Sequence, residues 1–188
     1  SDETEEIAVQ AEVLAWSQED GRDVYQPTRE VLVNPSIFRL PPGGRQIVRL
    51  GLQVPAEAVE RSYRVFLRQL PRDQALPADG GAKLQTLLRI GVPIFVPPLQ
   101  LRQALQWRLQ AGGAGGRGYK LMLDNQGSEH IQLTQLVVRR DGGAELLRKS
   151  LSHYALAGQS AGIELELPAL PPDTRLHIEA ATDAPEAL

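Results

Sequence analysis

Apolar and polar residues alternate through most of this chain, at the two-residue period of a strand with one buried face. Ile7, Val9, Ala11, Val13 and Ala15 share one parity, against Ala8, Gln10, Glu12, Leu14 and Trp16 on the other. This predicts a strand of about ten residues. Residues 18–22 predict a turn, because Asp20-Gly21 accepts positive φ. Strands are predicted over 36–40, 46–52 and 62–70; Pro41-Pro42-Gly43-Gly44 turns the chain between the first two, and Pro71 closes the third. Only residues 54–60 leave room for a turn or two of helix. Residues 71–82 form a polar Gly/Pro-rich loop, of a length that marks a mobile or functional connection.

The most informative strand is 83–96. Leu84, Thr86, Leu88, Ile90, Val92 and Ile94 fall on one parity; Gln85, Leu87, Arg89, Gly91, Pro93 and Phe95 fall on the other. Pro93 cannot donate to a ladder, which suits an edge strand or a strand end. A long apolar edge is an aggregation hazard, and it persists most easily when another chain pairs with it. Pro97-Pro98 follows at once, the rigid punctuation expected of a linker.

After the prolines the rhythm restarts. Leu105, Trp107 and Leu109 alternate, as do Tyr119, Leu121 and Leu123, then Ile131, Leu133, Gln135 and Val137. Residues 163–167 and 176–180 repeat the pattern, and Gly-rich or Asp/Asn-rich turns separate these strands. Short strands with regular turn signals predict β-sandwiches. The expected class is all-β, with a first domain at 1–96, a linker at 97–98 and a second domain at 99–188. Each has an ordinary domain size.

Composition narrows the function. With 188 residues and 42% hydrophobic content, the chain can bury substantial cores. A net charge of −3 gives no electrostatic case for nucleic acid or an anionic membrane. No run approaches the length of a membrane span. Cysteine is absent, which excludes disulfides and thiol catalysis and fits any compartment. No signal peptide opens the sequence; residues 1–6 are charged and read as a loop between two strands.

Five blocks carry a family resemblance. Residues 35–50, from Pro35 through Pro41-Pro42-Gly43-Gly44 to Leu50, resemble the proline-to-glycine hairpin of periplasmic pilus-assembly chaperones of the chaperone–usher pathway. Residues 60–71, from Glu60 to Pro71, resemble their signature strand, and 84–97 resemble the last strand of their first domain. Residues 123–127 and 154–158 resemble the second domain of the archaic, spore-coat-protein-like branch. The resemblance runs from Ile7 to Asp183.

It implies two immunoglobulin-like sandwiches in an L-shaped arrangement, the first apparently lacking its N-terminal strand or strands. It also implies a non-enzymatic periplasmic chaperone whose partners are pilus subunits and an outer-membrane usher. The chaperone strand completes a subunit by donor-strand complementation, with Leu84, Thr86, Leu88, Ile90 and Val92 as the side chains offered here. Self-association through the same exposed edge is a further expectation. Three departures stand out. No residue here corresponds to the family's basic cleft residue, Pro93 stands where another branch carries a lysine, and Pro97 replaces a basic partner of Glu60. Arg64 and then Arg89 become the candidate carboxylate anchors, facing the cleft between domains, because a guanidinium binds carboxylate bidentately. Glu60 and Asp183 are the candidate interdomain salt-bridge positions.

Other chemistry is thin. His130, His153 and His177 lack ligand spacing and read as surface or turn residues, so no metal and no cofactor is expected. Residues 124–127 lack the later glutamate of a calcium loop. No nucleophile elbow or phosphate loop occurs. Trp16 and Trp107 read as core anchors, one per sandwich. The main rival is a two-domain adhesion or surface-structural sandwich, whose edges need no exposed apolar strand. A hydrolase or carbohydrate-binding sandwich would need an aromatic platform, against 5% aromatic content.

Overall fold

The computed structural model describes residues 5–71, 86–112, 118–168, 170–171 and 174–183. Among these the alternating segments form thirteen strands and no helix. Two compact units result. The first takes in described residues of Ser1–Trp16, Tyr25–Pro55 and Ser62–Phe95; the second takes in those of Ser17–Val24, Ala56–Arg61 and Val96–Leu188.

The first unit holds most of β1 (Ile7–Glu19), the second half of β2 (Arg22–Pro27), all of β3 (Val31–Asn34), β4 (Ile37–Leu40) and β5 (Arg49–Leu52), and all but one end residue each of β6 (Arg61–Gln69) and β7 (Arg89–Val96). One sheet has the order β2-β1-β6-β7, with β4 also pairing β1, and β3 pairs β5 separately. The antiparallel register sets Val9 opposite Gln69, Val13 opposite Val65 and Ala15 opposite Tyr63. Every second residue of β1 and β6 therefore points to one face, where Val9, Ala11, Val13, Tyr63 and Val65 are buried. The Tyr63 hydroxyl donates to Glu30 at 2.6 Å, which satisfies its polar end.

The second unit holds β8 (Leu105–Gly112), β9 (Gly118–Asn125), β10 (Ile131–Arg140), β11 (Glu145–Ala155), β12 (Ser160–Leu165) and β13 (Leu176–Thr182). Its sheets run β11-β10-β13 and β12-β9-β8. Leu121, Leu123, Leu133, Leu136, Val138, Ile163 and Leu165 fill the space between them, with Trp107 packed against the cluster. The buried Asn125 amide donates to the carbonyls of Glu129 and Ala155 at 2.8 and 2.9 Å, so its burial is satisfied.

The expected Asp-Gly turn is present, with φ of 51° at Asp20 and 75° at Gly21. A side chain at Gly21 would also meet the backbone nitrogen of Gly162 at 3.1 Å. Two differences have physical causes. Residues 54–60 form no helix, because their backbone groups bond elsewhere: Glu57 O accepts from Leu99 N at 2.7 Å, and Glu60 N donates to Ser128 O at 2.8 Å. Strand β11 lacks clean alternation because its register with β10 shifts between Leu133 and Gln135 and between Val138 and Arg139. Each shift changes which parity faces inward.

Candidate functional site

Strand β7 lies at the end of its sheet's strand order. Its pairing with β6 extends one residue earlier, where Gln69 N donates to Leu88 O at 2.9 Å. Along this ordered backbone Leu88, Ile90 and Val92 are 61%, 46% and 45% exposed. Leu88 and Ile90 border an apolar cavity of about 300 Å³, together with Ile7, Val9, Phe38, Leu40, Val48 and Leu67. Thr86 is also exposed, and Leu84 lies outside the described residues. The strand thus carries a row of apolar side chains that its own unit covers only in part. An edge of this kind can pair its main chain with an incoming strand while alternate side chains enter that strand's pockets.

The opposite face carries the two candidate arginines. The Arg64 Nη1 donates to the Tyr25 hydroxyl at 2.8 Å, and its guanidinium lies 4.2 Å from the Trp16 ring centre. Trp16 stacks on Tyr25 at 6.3 Å and meets Phe95 at 6.0 Å. Tyr25 meets Phe66 edge-on at 5.2 Å, and Arg89 sits 3.8 Å over Phe66. The register explains the grouping, since Leu14 opposes Arg64 and Glu12 opposes Phe66. Arg89 also lines a cavity of about 220 Å³ with Gln10, Glu12, Phe66 and Arg68. Cation–π contact and burial of the arginine stems both favour these placements. Trp16 is buried, as expected of a core anchor, but it serves this aromatic–arginine face.

Glu60 and Asp183 bond different partners, His130 and Gln132. Glu60 has a side chain only 5% exposed, and its carboxylate receives His130 Nδ1 at 2.8 and 2.9 Å and the His130 backbone N–H at 3.1 Å. Asp183 bonds Gln132 instead, N to O at 3.0 Å and Oδ1 from N at 3.3 Å. Two carboxylates repel, so each needs a donor of its own. His130 is therefore a buried carboxylate's partner, contrary to its reading as a surface residue, and no spacing in the sequence signals this. His153 also departs from that reading: its Nε2 is buried without a hydrogen bond. Burial holds its imidazole below the ordinary histidine value; Asp23 opposes this and Lys149 adds to it. His177 is exposed, 3.6 Å from Asp141. Among the described residues no cluster has the make-up of a metal site.

Residues 1–102 match the family model of the pili and flagellar-assembly chaperone, PapD N-terminal domain. Among solved structures, the fold is similar to a chain of the CsuC–CsuE chaperone–tip adhesion subunit pre-assembly complex from the archaic chaperone-usher Csu pili of Acinetobacter baumannii. The TM-score is 0.70 at 19% identity, over 97% of this chain and 82% of that one. A chain of the Salmonella enterica SafA pilin–SafB chaperone complex gives 0.60 at 19% identity, over 97% and 80%. The E. coli chaperone DraB gives 0.55 at 21% identity, over 97% and 80%. No curated protein sequence matches. With more than half of its length matched by the family model and this fold throughout, the chain belongs to the pili and flagellar-assembly chaperone family.

Proposed function

We propose that this protein is a periplasmic chaperone that binds pilus subunits through β7 by donor-strand complementation and delivers them to an outer-membrane usher. The observation that carries the reading is the row Leu88, Ile90 and Val92, exposed on an ordered edge strand beside an apolar cavity. Main-chain pairing supplies register, and each side chain buried in a subunit groove contributes roughly 1.5–3 kcal/mol. Thr86 and Leu84 are the further side chains offered to the subunit. Arg64, with Arg89 second, anchors a terminal carboxylate of the subunit. Release needs no nucleotide, because a better-fitting subunit extension replaces β7 and completes the subunit fold. No catalytic step is involved. Pro97-Pro98 separates the subunit-binding domain from the second domain, and the similarity of fold to a chain of the archaic Csu complex supports membership of the archaic branch. Without a subunit, the same edge is open to a second copy of the chain.

The experiment is co-expression with neighbouring subunit genes, followed by recovery of the complex from the periplasm, beside a Leu88→Asp/Ile90→Asp variant. A stoichiometric complex with the parent, lost in the variant, supports strand lending. If no subunit is captured while both forms remain folded, the proposal fails and an adhesion or structural sandwich takes its place.

A further inference from the structure

Arg64 leaves β6 on the face opposite Leu88 and Ile90, and its neighbours fix its course. Tyr25 accepts one of its N–H groups at 2.8 Å, Trp16 lies under the guanidinium at 4.2 Å, and Phe95 packs on Trp16. A further constraint is a gap. A Cβ at Gly91 would stand 3.3 Å from Arg64 Cδ and 3.1 Å from the Phe66 ring, closer than carbon atoms normally approach. Gly91 stands in β7 between Ile90 and Val92. The strand that offers apolar side chains on one face therefore leaves space on the other, and the Arg64 stem and Phe66 ring occupy it.

We propose that Tyr25 and Gly91 are positioning residues for Arg64, and that they set how strongly this protein prefers a ligand ending in a free carboxylate. The inference rests on the reading that Arg64 anchors a carboxylate beside β7. A guanidinium presents five N–H groups in a rigid plane, so bidentate binding depends on the angle at which that plane is held. The Tyr25 oxygen takes one N–H and fixes the rotation of the side chain's last bonds. Gly91 lets the stem run close under β7. A side chain at position 91 pushes the stem away and turns the fork without touching the apolar row.

The test titrates the whole protein with two ten-residue peptides of alternating valine and serine, one ending in a carboxylate and the other in a carboxamide. The parent is expected to prefer the carboxylate by about tenfold, the scale of a hydrogen bond to a charged group. Arg64→Met removes the preference. Tyr25→Phe, which keeps the ring stack, reduces it to about threefold or less with carboxamide affinity unchanged, and Gly91→Ala, in the pairing strand itself, reduces the ratio of the two affinities to the same extent. A residue acting only through stability would weaken both peptides together. Loss of the preference in Arg64→Met, with full retention in Tyr25→Phe and Gly91→Ala, overturns the inference. A parent without preference, or an Arg64→Met variant that keeps it, overturns the anchor reading and the inference with it. Should Gly91→Ala fail to fold, Tyr25→Phe decides.

Discussion

Strand β9 in the second unit and strand β7 in the first are built on the same alternation, yet they end in opposite environments. Leu121 and Leu123 of β9 are wholly buried, whereas Leu88, Ile90 and Val92 along β7 stand 61%, 46% and 45% exposed. The cause is position in the sheet. Strand β9 lies between β12 and β8, while β7 ends its sheet. A central strand has neighbours whose side chains close over its own, and an edge strand has them on one side only. Alternation thus fixes which side chains act together, and the neighbours decide whether they serve the protein's own core or another molecule.

The largest effect expected from this contrast is on binding. Leu88→Asp/Ile90→Asp should weaken subunit capture by about a hundredfold or more, since each buried side chain contributes roughly 1.5–3 kcal/mol. The urea midpoint should hardly move, because both residues are already exposed; a large fall would make β7 part of the core and erase the contrast. The reverse holds in β9. Leu121→Ala should cost about 2–5 kcal/mol in stability, read by the same urea titration, with subunit affinity unchanged when measured well below the midpoint.

A smaller effect is expected at Glu60. His130→Ala removes the imidazole from a nearly buried carboxylate, which should cost about 1–3 kcal/mol. Glu60→Gln/His130→Ala should recover part of the loss, because the charge left behind is gone; no recovery would show that packing against Tyr154, at 5.7 Å from the His130 ring, is the larger contribution.

His153 gives a pH dependence. Burial lowers its folded value below that of the unfolded chain. As pH falls through the ordinary histidine value of about 6.5, the unfolded chain takes up the proton first, and stability present above that pH is progressively lost. Denaturation at pH 7.5, 6.5 and 5.5 should show a steeper decline for the parent than for His153→Phe; parallel curves would remove this assignment. The smallest effect belongs to the surface pair of Arg39 and Glu6, 3.0 Å apart and largely exposed. Arg39→Ala should leave stability within experimental scatter.

Several features of this molecule follow from sequence alone. The alternation in β1, β6, β9 and β10 reports half-buried strands, since side chains on a pleated backbone must point to opposite faces. Asp20-Gly21 dictates a turn, and Pro93 disfavours a central strand. The row Leu88, Ile90 and Val92 is visible as a row for the same reason, and the blocks at 35–50 and 60–71 carry the family resemblance.

Other features depend on contacts far apart in the chain. Glu57 and Glu60 use their backbone bonds on Leu99 and Ser128, so residues 54–60 form bends and irregular chain despite a sequence compatible with helix. Glu60 meets His130 across seventy residues, and Arg64 meets Tyr25 across thirty-nine; no local period encodes either meeting. Strand β11 is obscured because its register shifts move the inward parity partway along. Sequence determines the period and the turns, which are local properties of the backbone. Tertiary structure decides which apolar rows are covered and which charges find partners, because both depend on what the rest of the chain brings alongside.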